Sequence, residues 1–131
     1  MSLDRKFLLC SLAYAIVGMV IGIYMAASHN HGEFIAHAHI LLVGFVLSFM
    51  YGLIHKLWVS AGGSTVASVQ FYLHNAAAIV MGVGLLTWYG GVQPPALEHV
   101  LAASAISVLV GALLMVYMVL KSPAAAAARA G

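Results

Sequence analysis

The sequence predicts an all-α integral membrane protein, a four-helix bundle with both termini on the same side. Three observations predict it. Hydrophobic residues make up 64% of the 131 residues and charged residues only 6%, where a soluble domain carries about a quarter charged residues. Four apolar runs each supply the roughly 20 residues that a helix needs to cross the hydrocarbon. The five Lys and Arg residues all fall at one end of those runs. Seven histidines stand against eight formal charges. This balance excludes a soluble enzyme, a nucleic-acid binder and a disordered tail.

Span one covers about residues 6–27. It follows a basic N-terminus and is longer than the apolar region of a signal peptide, so it reads as a retained span. Span two covers about 35–59, and Ala61, Gly62, Gly63 and Ser64 after it predict a tight polar turn. Span three covers about 65–89, and the Gly-Gly-Val-Gln-Pro-Pro run from Gly90 to Pro95 breaks it. Span four covers about 96–120. Residues 1–121 thus form a single four-span domain. Residues 122–131 are Ala-rich and low in complexity, and are expected to be disordered or a frayed helical extension. Cys10 is the single cysteine, so no intrachain disulfide forms, and no CxxCH motif for covalent haem attachment occurs.

Orientation follows from the charges. Arg5 and Lys6 lie at the start of span one, Lys56 lies at the junction of spans two and three, and Lys121 and Arg129 follow span four. The positive-inside rule makes that side cytoplasmic, with both termini inside. The expected location is a bacterial-type inner (plasma) membrane. The opposite loops carry Glu33 and Glu98 and no basic residue. Gly18 and Gly22 on span one make a GxxxG spacing, which suits close helix packing within the chain or between subunits.

Histidines divide by depth. His29, His31, His37, His39 and His99 gather at the outer side, His55 lies near the inner end of span two, and His74 is about 13 Å from the inner boundary. His37 and His55 differ by 18 residues, five turns of an α-helix, so they are expected to share a face with Gly44, Ser48 and Tyr51. That small, polar stripe is expected to face the bundle interior. His39 points about 160° away from His37. Gln70 is one turn from His74, and Asn75 follows it. A histidine within a span needs a polar partner and is a candidate functional residue. The bland alternatives are water contact for His29 and His31, interfacial anchoring for His55, and an interhelical hydrogen-bond pair for His74 and Asn75.

Neutral imidazole ligates iron, copper and zinc. Haem suits an apolar bundle, with one or two histidines as axial ligands. His99 has the same depth as His37 and His39, whereas His39 and His74 differ in depth by roughly 15 Å. A small residue such as Gly44 opposite a ligand makes room for the ring. Copper competes, since seven Met and two HxH pairs suit it. Zinc catalysis is disfavoured by the scarcity of carboxylates. A transporter is disfavoured because Glu33 and Glu98 both fall at the outer boundary.

The run His37-Ala38-His39-Ile40-Leu41-Leu42-Val43-Gly44-Phe45-Val46, extended by Tyr51-Gly52-Leu53-Ile54, resembles spans of the haem–copper oxidase subunit I superfamily, especially NnrS-like and small four-span oxidase-like membrane proteins. Residues 14–22 resemble the opening span of those short proteins. The likeness covers about the first 60 residues, and the rest by span count. It implies haem ligation by His37 and His39, copper in some members, and Gly44 as a close-packing position. The chain has four spans where subunit I has twelve, and lacks the segments of an oxidase copper site, so oxygen reduction is not expected. Three copies would rebuild the twelve-span layout as a homotrimer, by analogy at the level of fold. The expected function is a membrane haem b protein for electron transfer, redox or gas sensing. His37, His39 and His99 are the metal candidates, Gly44 and His74 further cofactor-contact candidates, and lipid, further copies and an unidentified redox partner the partners. The alternatives are a copper-binding membrane protein, or a transporter or structural protein without cofactor.

Overall fold

A computed structural model describes residues 1–59 and 64–131, with the side chains of residues 124–126 left aside. The turn expected at Ala61, Gly62 and Gly63 lies outside the described residues. Four helices are long and apolar enough to cross a membrane: α1 (Leu3–Ser28), α2 (Phe34–Val59), α3 (Thr65–Tyr89) and α4 (Pro95–Lys121). The described residues form helices and connections without strands. The chain is a multi-pass membrane protein built as a helical bundle.

Local chemistry sets the helix ends. Ser64 caps α3 by accepting the Ala67 N–H on its hydroxyl, at 3.1 Å. Pro95 begins α4, where its missing N–H costs nothing. His29 ends α1 in the left-handed conformation, at φ 54°. Gly91, at φ 96°, makes the turn between α3 and α4 in a conformation that side chains resist. The Ala-rich tail is helical over Pro123–Ala130, which forms α5. Alanine is the best helix former, and proline at the first position suits a start. Arg129 donates to the Leu120 carbonyl at 2.6 Å and folds this helix back onto the end of α4.

The helix faces differ in burial as their neighbours dictate. Half of the most apolar window of α3 is buried, against 22% for α1 and α4. α3 is therefore the inner helix, packed on α4 along its length and on α2, while α1 packs mainly on α2. Large apolar side chains such as Ile16, Val20, Ile23, Ile106 and Leu113 lie exposed on α1 and α4. Patches of that extent in a soluble protein would associate or aggregate; here hydrocarbon covers them. Below them, at the end that carries the termini, Phe7, Tyr51, Val59, Ala67, Phe71, Met115 and Met118 close one core across all four helices.

Three glycines let α1 and α2 touch closely. A Cβ on Gly44 would stand 2.7 Å from Cγ of the Tyr14 ring. A Cβ on Gly22 would stand 3.0 Å from Cε1 of His37. Gly18 likewise receives the Leu41 side chain. The GxxxG spacing of α1 thus seats α2 of the same chain. The ring for which Gly44 makes room here is that of Tyr14.

α2 departs from ideal geometry. Ile40–Leu47 and His55–Val59 are π-helical, with wider turns than the rest of the helix. Such turns are uncommon, and they cluster at functional positions. His37 faces Gly18 and Gly22 of α1, Gly44 faces Tyr14 of α1, and His55 meets Phe7 of α1 and Gln70 of α3, so the three positions turn toward α1 together.

Candidate functional site

The histidines occupy two separate environments. At the loop end, the Nδ1–H of His37 donates to the Gly18 carbonyl at 2.8 Å. The ring is half-buried in the notch above Gly22. Two residues on, the Nδ1–H of His39 donates to the Ile35 carbonyl of its own helix at 2.9 Å. His39 is exposed, and its Nε2 has no hydrogen-bond partner among the described residues. His99, on α4, is also exposed. Each histidine of the HxH pair therefore spends Nδ1 on a backbone carbonyl. In the neutral ring that bond fixes the tautomer and leaves the lone pair on Nε2, the usual orientation of a metal-binding imidazole.

His37 and His39 point apart, and no group of three His, Cys, Asp or Glu side chains among the described residues converges on one metal position. Within one chain, His37, His39 and His99 are not brought together as a ligand set. His29 and His31 are exposed in the connecting loop. Glu33, which precedes α2, keeps Oε2 buried without a partner.

A second group forms inside the bundle, nearer the termini. Fully buried His74 meets Ser48 across the α2–α3 contact, with Oγ and Nε2 2.9 Å apart. The Val43 backbone also approaches this ring, yet its Nδ1 has no hydrogen-bond partner. The Tyr51 ring packs edge-on against His74 at 4.9 Å between centroids, and its buried hydroxyl is unpartnered. Gln70 takes a long 3.5 Å hydrogen bond from His55 Nε2 on Oε1, while its Nε2 has no partner. Phe7 of α1 is the hub: it stacks on His55 at 5.4 Å and meets Phe71 edge-on at 4.8 Å. One turn above, the Tyr14 hydroxyl donates to Asn75 Oδ1 at 3.2 Å, and Asn75 donates to the Phe71 carbonyl at 2.9 Å.

His74, Gln70, Ser48, Tyr51 and His55 all stood out in the sequence as polar residues on shared helix faces. Phe7 and Tyr14 did not. Phe7 resembles any apolar residue of a first span, and Tyr14 any aromatic residue within one. Only the Gly44 notch, which admits a ring, hinted at a partner for Tyr14.

Three grooves border these groups. One of about 220 Å³ runs between α1 and α2 at the termini end, with Asp4 and Lys56 at its rim beside Leu8, Phe49, Gly52 and Leu53. A groove of about 280 Å³ lies between α3 and α4, lined by Ala76, Ala77, Ala103, Ser104 and Ser107 among others. The third, of about 140 Å³, lies between α1, α2 and α3 near Tyr14 and Gly82. None of the three is lined by a histidine. No protein-family model, no curated protein and no solved structure matches this sequence.

Proposed function

We propose that this chain is a membrane haem protein, of b type, that acts in electron transfer or in redox or gas sensing as a homo-oligomer. One observation carries the reading: His39 is exposed at a span end with Nδ1 fixed on the Ile35 carbonyl, so Nε2 is the atom offered outward. An imidazole left facing lipid without a partner is costly, and a ligand bond removes that cost. His39 would hold the haem iron through Nε2, with His99 or a histidine of a second copy as a further ligand. His37 shares the donor pattern but turns its ring into α1, so it serves as a packing residue that holds the start of α2. Haem bound at His39 supplies a one-electron iron couple.

The resemblance of 37–46 to spans of the haem–copper oxidase superfamily supports the same assignment. A homotrimer would supply the missing neighbours. The five basic residues at the termini end support a cytoplasmic position for both termini in a bacterial-type inner membrane.

The test is an optical spectrum of protein purified in mild detergent after haem-supplemented expression, with elemental analysis for iron and copper. The expected result is a Soret band with iron in proportion to protein, lost in His39→Ala and kept in His37→Ala. No Soret band and no iron overturns the reading. Stoichiometric copper in their place, lost in the same variant, moves the assignment to a copper-binding protein.

A further inference from the structure

Three buried polar atoms in the bundle have no protein partner: the Tyr51 hydroxyl, Gln70 Nε2 and His74 Nδ1. Their residues are 3%, 0% and 0% exposed. They are not scattered. Tyr51 touches His74, Gln70 lies one turn before His74 on the same face of α3, and all three residues surround Phe7 and its stacked neighbour His55. A buried polar group without a partner is expensive, and more so where the surroundings are hydrocarbon. Three such groups on neighbouring residues call for a ligand that can reach them.

The chemistry of the three atoms identifies it. An amide nitrogen only donates, a phenol donates and accepts, and an imidazole nitrogen does either. A cation would be repelled by the amide N–H groups and would find no carboxylate in the cluster. An anion would lack a buried cation to neutralise it. Water both donates and accepts, and internal waters characteristically make two to four bonds to such orphaned groups.

We propose that Tyr51, Gln70 and His74 bind internal water, and that this water makes His74 a proton-exchanging site reached from the termini end through His55. A groove rimmed by Asp4 and Lys56 lies between α1 and α2 at the termini end. At Gly52 on its wall the two helices meet closely, a Cβ there standing 3.3 Å from both the Asp4 carbonyl oxygen and Phe7 Cβ. Phe7 in turn stacks on His55, and His55 reaches Gln70. The wide π turn over His55–Val59 lies at the same level. Beyond His74 the next polar groups are Ser48, and Asn75 with Tyr14. Only protons move along this route. An imidazole accepts a proton on one nitrogen and releases one from the other, and no electron or heavy atom changes place. The site is independent of haem at His39, which lies at the far end of the bundle.

Solid-state NMR on the full chain, labelled with ¹⁵N at histidine and embedded in phospholipid bilayers, tests this. Magnetisation is started on water protons and read on the His74 ring nitrogens. Early transfer is expected, on the timescale of the exposed His29 and His31. The absence of early transfer to the His74 ring nitrogens, in a sample where His29 and His31 receive it, overturns the proposal. Tyr51→Phe keeps the ring in place and removes only the hydroxyl; it is expected to slow transfer to His74 several-fold and leave the loop histidines unchanged. His55→Phe keeps the stack on Phe7 and removes the nitrogens; it is expected to slow hydrogen–deuterium exchange at the His74 ring by tenfold or more. An unchanged transfer rate in Tyr51→Phe overturns the water site, and an unchanged exchange rate in His55→Phe overturns the route.

Discussion

His39 and His74 are the same residue type on neighbouring helices, and the fold treats them in opposite ways. His39 stands outside the bundle with one nitrogen fixed by its own helix and the other open. His74 stands fully inside, held by Ser48 of another helix, with its second nitrogen enclosed and unpartnered. The first arrangement can accept a large ligand from outside without moving the fold. The second is enclosed on all sides and meets no such ligand from outside the bundle. Burial and the choice of bonded nitrogen separate the two, and neither depends on the identity of the residue.

The largest effect is expected where that contrast is sharpest. His39→Ala should abolish the Soret band while leaving helical content and thermal midpoint in detergent unchanged, because the side chain packs on nothing inside. A variant that keeps its haem breaks the comparison. So does one that loses haem only together with its fold, since His39 would then be a packing residue like His37.

Next comes the seam that separates the two sites. Gly44→Ala should destabilise the bundle by about 1–3 kcal/mol, the usual cost of overfilling a packed contact. The new methyl meets the root of the Tyr14 ring, with Cγ, Cδ1 and Cβ within 3.0 Å, and that part of the side chain cannot swing aside without moving α1. The Tyr14–Asn75 bond would be strained in the same step. Gly18→Ala should cost less, because the group it meets is the branched end of Leu41. Thermal unfolding of both variants in one detergent ranks them, and an equal cost would mean that the seam adapts.

The fold was far more legible in the sequence than the pairing of side chains. Four apolar runs bounded by Ser64, Gly90 and Pro95 are enough to place four spanning helices. Rotation about each helix axis is a different matter. Helices that are apolar on every side give hydropathy no face to point with. Rotation is set instead by the notches at Gly18, Gly22 and Gly44, which specify a partner only once it is known to be Leu41, His37 or Tyr14. The π-helical turns at Ile40–Leu47 and His55–Val59 leave no signature in the residue pattern either. Ser48, Tyr51 and His55 were recognisable as one polar stripe because four-residue spacing survives over a short stretch. Their meeting with His74 and Gln70 needs the tertiary contact.

His37→Ala sharpens the difference within the HxH pair. The side chain fills the space above Gly22 and bonds the Gly18 carbonyl. A hydrogen bond between membrane helices is typically worth about 0.6 kcal/mol, and the lost packing adds to it, so a loss of about 1–2 kcal/mol is expected. Haem content per folded protein should stay at the wild-type level. Measured beside His39→Ala, the two variants should show a crossed pattern, with stability lost in one and cofactor in the other.

The smallest effect belongs to Lys56. Its ammonium lies 4.0 Å from Asp4, and the Lys56 side chain is 70% exposed. A pair so open to solvent is screened and gains little over two separately hydrated charges. Lys56→Gln should therefore leave the thermal midpoint unchanged at both low and high salt. The adjacent residue, His55, is buried and stacks on Phe7. Two neighbours in sequence thus sit on opposite sides of the same boundary. A salt-dependent fall in midpoint for Lys56→Gln would show that the charged rim of the groove is tied to the core, and the contrast between open and enclosed groups would fail at this end of the molecule.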